Sequence, residues 1–271
     1  MLEILAEAGV NHGGDVNIAV RMVDAAAEAG ANAIKFQTYS PEHAISKQHP
    51  NYDLLAKLAL SHHDFVRIAR YCQLVGIEFL STPGDLISLK FLVDELGVKR
   101  LKIGSDDLTY MPLLEAAAAT KLPLILSTGM ATETDILDAL RVCSDTQDIT
   151  LLHCVSCYPC ANVDVNLKAM DTLRKFGYPV GYSDHTKGTL ACLAAAARGA
   201  EVIEKHFMMA RHEAVDSAVS IDENQLFDMI QRVRIIESML GSGVKEPCAA
   251  ELKNKALFIK DSSGLKRGVA V

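Results

Sequence analysis

Two polar clusters, Tyr182-Ser183-Asp184-His185 and Glu204-Lys205-His206, each close a short apolar run, and an alanine-rich stretch from Gly188 to Ala197 lies between them. Strand side chains alternate, so Glu204 and His206 project to one side of the second run while Lys205 projects to the other. One face then presents a carboxylate beside an imidazole. If His185 turns to the same face, two neutral imidazoles and an oxygen ligand leave positions open for water and substrate, as a catalytic metal needs. The plainer alternative is a pair of hydrogen-bonded strand-end histidines.

A second set of residues suits an anion. Lys35 and Lys102 follow Ile34 and Leu101 inside apolar runs, where an unpaired ammonium would be costly. With Ser105, Ser127 and Ser183 they combine charge from lysine and directional donors from hydroxyls, the chemistry of a phosphate site. Solvated lysines and helix-capping serines are the competing account. Other apolar runs also end in polar residues: Glu7, Gln37, Thr82, Asp107, and His153 with Ser156. Cys154, Cys157 and Cys160 have the spacing of an iron-sulfur or zinc ligand set. Asp164 stands where the fourth cysteine of a ferredoxin-like run belongs, and no second paired-cysteine motif occurs. A structural thiol plus loop cysteines is therefore the preferred reading.

The elements that must position these residues follow a repeating strand-helix period. Leu2 to Leu5, Ala33 to Gln37, Ile77 to Leu80, Val98 to Ile103, Leu122 to Leu126, Ile149 to His153, Tyr178 to Tyr182 and Glu201 to Lys205 read as strands. A helix from Val16 to Ala29 stops at Gly30, and another, capped by Ser61 with Asp64, runs to Val75 before Gly76. Thr132 with Asp135 opens a helix to Val142, and Ser220 with Glu223 opens a last amphipathic helix to Leu240. Tyr39 to Leu60 has no period and reads as irregular. Eight strand-helix units predict the α/β class and a (β/α)8 TIM barrel over residues 1–240, a catalytic domain, with a linker-like C-terminal tail over 241–271. A doubly wound sheet remains the alternative, because element order alone does not prove closure. In a barrel the active site lies at the carboxyl ends of the strands, where the polar residues named above fall.

The composition narrows the partners. The chain has 271 residues, 49% of them apolar, enough to bury a large core. A formal charge of −7 argues against nucleic acid, so an anionic substrate must be held by local lysines. Seven cysteines, an odd number, in a sequence without a secretory leader predict free thiols. No apolar run approaches the length of a membrane span, and the expectation is a soluble cytoplasmic protein.

Several motifs together resemble the sialic acid synthase (N-acetylneuraminate synthase) family: Ala6-Glu7-Ala8-Gly9-Val10-Asn11-His12-Gly13-Gly14, Lys35-Phe36-Gln37-Thr38, Ser81-Thr82-Pro83, Ser127-Thr128-Gly129-Met130, Gly181-Tyr182-Ser183-Asp184-His185-Thr186 and Val202-Ile203-Glu204-Lys205-His206-Phe207. The resemblance spans residues 1 to about 240. It implies a carbon-carbon bond-forming transferase that condenses phosphoenolpyruvate with an N-acetylated amino sugar, giving a nonulosonic acid and phosphate. It further implies a divalent metal, Mn2+ or Mg2+, on His185 and His206, acting as a Lewis acid on the sugar aldehyde. Lys35, Lys102, Ser105, Ser127 and Ser183 would cradle phosphoenolpyruvate, with Thr82, Ser156 and Tyr158 nearby. Glu7, Asp107 and Glu204 would position sugar or water and move protons, and Gln37 would orient the substrate.

Two departures stand out. The family has glutamate where this sequence has Asp107, one methylene shorter, and Asp106 sits beside it. Family members also continue into an antifreeze-like domain that swaps across a homodimer and lends an arginine to the sugar site, whereas Lys253 to Val271 resembles only the connection into it. These departures motivate one alternative, a barrel that binds ligand with reduced or lost catalysis. The other is a Schiff-base aldolase using Lys35, Lys102 or Lys205.

Overall fold

The protein is described by a computed structural model covering residues 1–266, apart from 147, 211 and 213. Its strands are short apolar runs: β1 (Glu3–Gly9), β2 (Ala33–Thr38), β3 (Glu78–Pro83), β4 (Leu101–Ile103), β5 (Leu124–Ser127), β6 (Ile149–His153), β7 (Val180–Asp184) and β8 (Val202–Met208), with a two-residue β9 (Ile221–Asp222) beside β8. The helices between them are α1 (Val16–Ala29), α2 (Pro41–Ala44), α3 (Tyr52–Leu58), α4 (His62–Val75), α5 (Leu86–Lys90), α6 (Met111–Ala119), α7 (Glu133–Val142), α8 (Ala169–Arg174) and α9 (Leu190–Ala197), followed by α10 (Glu223–Leu240) and α11 (Ala249–Phe258).

Every ladder is parallel, and the spatial order is β3-β2-β1-β8-β7-β6-β5-β4. Pairing of β1 with β8 joins the first strand to the last, which rules out the doubly wound alternative and makes the fold a (β/α)8 barrel. Among the described residues, β3 and β4 adjoin without a ladder. At the base of that seam the Arg100 guanidinium reaches Glu78 at 2.9 Å and Glu3 at 2.8 Å.

Alternation sets the two faces of the barrel wall. Leu5, Ala33, Leu80, Ile125, Leu152 and Val202 form a small buried cluster of their own. Each lies two residues before a polar or thiol residue that opens into the barrel mouth: Glu7, Lys35, Thr82, Ser127, Cys154 and Glu204. The lumen is therefore plugged by apolar side chains, and the reactive groups stand one strand period above the plug. The opposite parity packs against the helices in the main core, with Ile4, Ile34, Ile103, Leu126, Leu151 and Ile203 among its buried members.

Gly181 of β7 belongs to the plug parity. A Cβ there would lie 2.5 Å from Val202 O and 2.6 Å from Leu152 Cδ2. Gly181→Ala is thus expected to destabilise by about 1–3 kcal/mol through overpacking, read as a lower urea midpoint; a midpoint equal to wild type would refute the plug packing.

Local signals account for most helix starts. The Ser61/Asp64 and Thr132/Asp135 capping boxes form as expected. The last barrel helix is capped differently: Asp222 and Gln225, not Ser220 and Glu223, exchange backbone bonds at 2.8 and 3.0 Å. Ser220 is drawn away because its hydroxyl bonds Asp216 O and the Asn11 amide. The segment expected to be irregular, Tyr39 to Leu60, carries α2 and α3. The chain divides into two units, Met1–Glu237 and Ser238–Val271. The second holds α11, opened by a capping box in which Glu251 accepts from Cys248 N at 3.0 Å.

Candidate active site

The carboxyl ends of the strands surround one cavity of about 500 Å3. Of the residues named from the sequence, Glu7, Lys35, Gln37, Thr82, Lys102, Ser105, Asp107, Ser127, Ser156, Tyr158, Ser183, His185, Glu204 and His206 line it, whereas His153 and Lys205 do not. The structure adds Tyr39, Ala44, Ile45 and Leu55 from the segment after β2, and Asp106, Met130 and Cys154 from other strand ends.

At the centre stand two carboxylates and two ammonium groups, all within the buried floor. Lys35 Nζ lies 2.8 Å from Glu7 Oε2, 3.6 Å from Glu204 Oε2 and 3.1 Å from Thr82 Oγ1. Lys102 Nζ donates to Ser127 Oγ at 2.6 Å and to Ile103 O at 3.2 Å, and lies 3.8 Å from Glu204 Oε1. The lysines are therefore paired, as burial of an ammonium requires.

The four charges divide unequally. Burial, reinforced by the Glu204 charge and opposed by Lys35, raises Glu7 from 4.5 to about 7. Burial acts on Glu204 too, but Lys102, Lys35 and the Ser183 hydroxyl outweigh it and hold this carboxyl at about 2. Burial also lowers Lys102, with the neighbouring Lys35 charge adding to the effect, whereas Lys35 is raised because Glu204 and Glu7 overcome its burial. The floor thus offers a fixed anion at Glu204 and a proton that comes and goes near neutrality at Glu7. Gln37 Nε2 approaches Glu7 Oε1 at 3.4 Å.

Beside this centre the hydroxyls crowd around a glycine. Ser105 Oγ accepts from Gly129 N at 3.0 Å and lies 3.1 Å from Cys154 Sγ. A Cβ on Gly129 would meet Ser156 Oγ and, at 2.8 Å, Ser105 Oγ, so only glycine allows these serines to converge. Together with Lys102 and Ser127 they form a pocket of donors suited to an anionic oxygen cluster. Ser183 differs from its companions: its hydroxyl is committed to Glu204 Oε1 at 2.7 Å.

The two histidines face each other with ring centroids 5.6 Å apart. His185 Nδ1 donates to Val155 O at 2.8 Å, so its Nε2 accepts from Tyr158 OH at 3.0 Å. Burial lowers the pKa of both rings, and for His206 the adjacent His185 adds to the effect, so both are neutral and keep a lone pair. His206 Nδ1 is enclosed without a hydrogen-bond partner, 3.6 Å from Asp216 Oδ2. Two neutral imidazoles at a polar cavity fit a divalent metal. Among the described residues no group of three or more His, Cys, Asp or Glu side chains is arranged to hold one. The pair would therefore leave the remaining positions to water and substrate, as in an open site.

Asp107 reaches the cavity despite its shorter side chain, and Asp106 lines it as well. Burial, with Asp106 and Asp85 adding to it, raises Asp107 to about 7. His153 turns away to Val165 O at 2.8 Å. Lys205 is wholly buried on the outer face of β8, paired with Asp184 at 2.7 Å. Cys154, which follows the end of β6, lines the cavity with the serines; Cys157 is exposed and Cys160 buried, and all three are free thiols. The strand-end rule applied to His153 would have found Cys154 had it been extended by one residue.

Parallel order and polar strand ends place the protein among the (β/α)8-barrel enzymes. Comparison narrows that class, because a profile of the NeuB family matches residues 22–245. The chain belongs to the NeuB family and is an enzyme of the sialic acid synthase kind. It is 42% identical over 290 aligned residues to the N,N'-diacetyllegionaminic acid synthase of Legionella pneumophila, covering 97% of this chain and 80% of that protein. It is 31% identical to the human N-acetylneuraminate-9-phosphate synthase, over 93% of this chain and 75% of that one. Among solved structures, the N-acetylneuraminic acid synthetase of Leptospira borgpetersenii, crystallised with citrate, superposes with a TM-score of 0.89 at 41% identity, covering 93% and 90% of the two chains.

Proposed function

We propose that the protein condenses phosphoenolpyruvate with an N-acetylated amino sugar to form a nonulosonic acid and free phosphate, with a divalent metal on His185 and His206. The observation that carries this reading is one cavity that sets a donor cluster for phosphate beside a neutral histidine pair and a proton-exchanging carboxyl. Lys102, Ser105, Ser127 and Ser156 would bind the phosphate end. A bound metal would supply Lewis-acid polarisation of the sugar carbonyl. Glu7, with a pKa near neutrality, would carry a proton at the acceptor oxygen or the water that adds, while Gln37 keeps its carboxyl oriented. Glu204 stays ionised and holds both lysines and the Ser183 hydroxyl in place. Asp107, which lines the same cavity, offers a second proton carrier.

The test is an acceptor-sugar screen in manganese. Phosphate release should require both phosphoenolpyruvate and an acceptor, stop on chelation and return with added manganese. Turnover that survives chelation would overturn the metal assignment. The aldolase alternative narrows to a single lysine. Lys205 is sealed in its ion pair and Lys35 is held charged by two glutamates, whereas Lys102 has a lowered pKa. Borohydride trapping of substrate on Lys102 would favour that chemistry.

A further inference from the structure

The loop Asn11-His12-Gly13-Gly14, prominent in the sequence, does not line the cavity. Asn11 is nevertheless completely buried, and its amide makes three bonds. Nδ2 donates to Phe207 O at 2.9 Å and to Ser220 Oγ at 2.9 Å, while Oδ1 accepts from Asp216 N at 3.0 Å. Ser220 Oγ in turn donates to Asp216 O at 2.8 Å. One side chain from the end of β1 therefore fastens the end of β8 to the far end of the loop that leaves it. The point so fixed is Asp216, whose carboxylate faces His206 Nδ1, the ring nitrogen enclosed without a partner. Gly9, whose φ of 52° favours glycine, passes beside the same pair, with a Cβ position 3.4 Å from both Asp216 Oδ2 and His206 Cε1.

His185 supplies the comparison. Its Nδ1–H is tied back to a carbonyl, and Nε2 is thereby left as the acceptor. We infer that Asp216, held in place by Asn11, is a positioning residue that fixes His206 as the Nδ1–H tautomer and keeps its Nε2 lone pair for the cavity. Both imidazoles then offer the same nitrogen, one bonded to backbone and the other facing a carboxylate at 3.6 Å. A carboxylate behind a metal-binding histidine orients the ring and strengthens it as a ligand. This consequence rests on the metal reading above; the tautomer itself does not.

The experiment is 15N NMR on histidine-labelled full chain without metal, with the His206 signals assigned by their loss in His206→Gln. Wild type should show a single Nδ1–H tautomer. Asp216→Ala and Asn11→Ala should shift His206 toward a mixture, while Asp216→Asn, which keeps an acceptor oxygen, should preserve the wild-type form. Manganese affinity, followed by electron paramagnetic resonance, should fall about 10- to 100-fold in Asp216→Ala and much less in Asp216→Asn. A His206 tautomer unchanged in folded Asp216→Ala overturns the inference. Wild type that takes up no manganese overturns the metal reading, and the tautomer in the same samples still decides the role of Asp216.

Discussion

Changing Glu7 to Gln is expected to lower kcat by about 10²- to 10⁴-fold, the range for loss of a positioned proton carrier. The cause lies in its setting: burial and the Glu204 charge lift it to about 7 while Lys35 keeps it bonded. The pH profile of kcat/KM should show an inflection near 7 that Glu7→Gln removes. Asp107 is also raised to about 7, so Asp107→Asn is the necessary companion. An inflection that survives Glu7→Gln and disappears in Asp107→Asn would transfer the role to Asp107. The same shift has a stability signature. Folded Glu7 holds its proton between pH 4.5 and about 7, where the unfolded chain has lost it, so its contribution falls as pH rises through that window. Glu204 has the opposite sign: its stabilisation is present above 4.5 and lost as pH falls toward 2. Urea midpoints across pH should therefore decline less between 4.5 and 7 in Glu7→Gln than in wild type.

Lys205→Met should cost about 3–5 kcal/mol, because it leaves Asp184 buried without its counter-charge. Both side chains have zero exposure. Asp184 accepts from Tyr182 OH, the Thr186 amide and the Thr186 hydroxyl as well as from Lys205, and Lys205 also donates to Thr186 O. Adding Asp184→Asn removes the stranded charge yet keeps an acceptor for these donors. The double variant should thus recover part of the loss, measured by urea unfolding. A single variant within about 1 kcal/mol of wild type would show that the pair is not a net stabiliser. These two residues adjoin His185 and His206 in sequence, so the pair also clamps the strand ends that carry the histidines.

How far the sequence could be read follows from periodicity. Glu204 and His206 were legible as one face because two-residue alternation needs no knowledge of the partner strand, and Lys205 was legible as pointing elsewhere for the same reason. What it met there, Asp184, depends on the register of β7 against β8, and that is a tertiary fact. The pairing of Lys35 with Glu7 likewise reflects β1 beside β2, where Glu7 and Lys35 are register partners. Ser183 read as a phosphate donor, but the neighbouring register places Glu204 opposite it and takes the hydroxyl. Tyr39, Ile45 and Leu55 gave no signal because α2 and α3 are too short to display an amphipathic period. Asp216 could be noted in the sequence but not set against His206, because its place is fixed by an amide more than two hundred residues earlier in the chain.

The apolar plug places a constraint on how this protein can diversify. Plug and reactive residues occupy the same strands two positions apart. A one-residue insertion or deletion in β8 would therefore carry Glu204 and His206 into the helix-facing layer and turn Lys205 inward. New acceptor preferences are instead open to change in the stretch carrying Ala44, Ile45 and Leu55, which touches the cavity but belongs to no barrel strand. Libraries aimed at acceptor range should vary length there and leave the strands untouched.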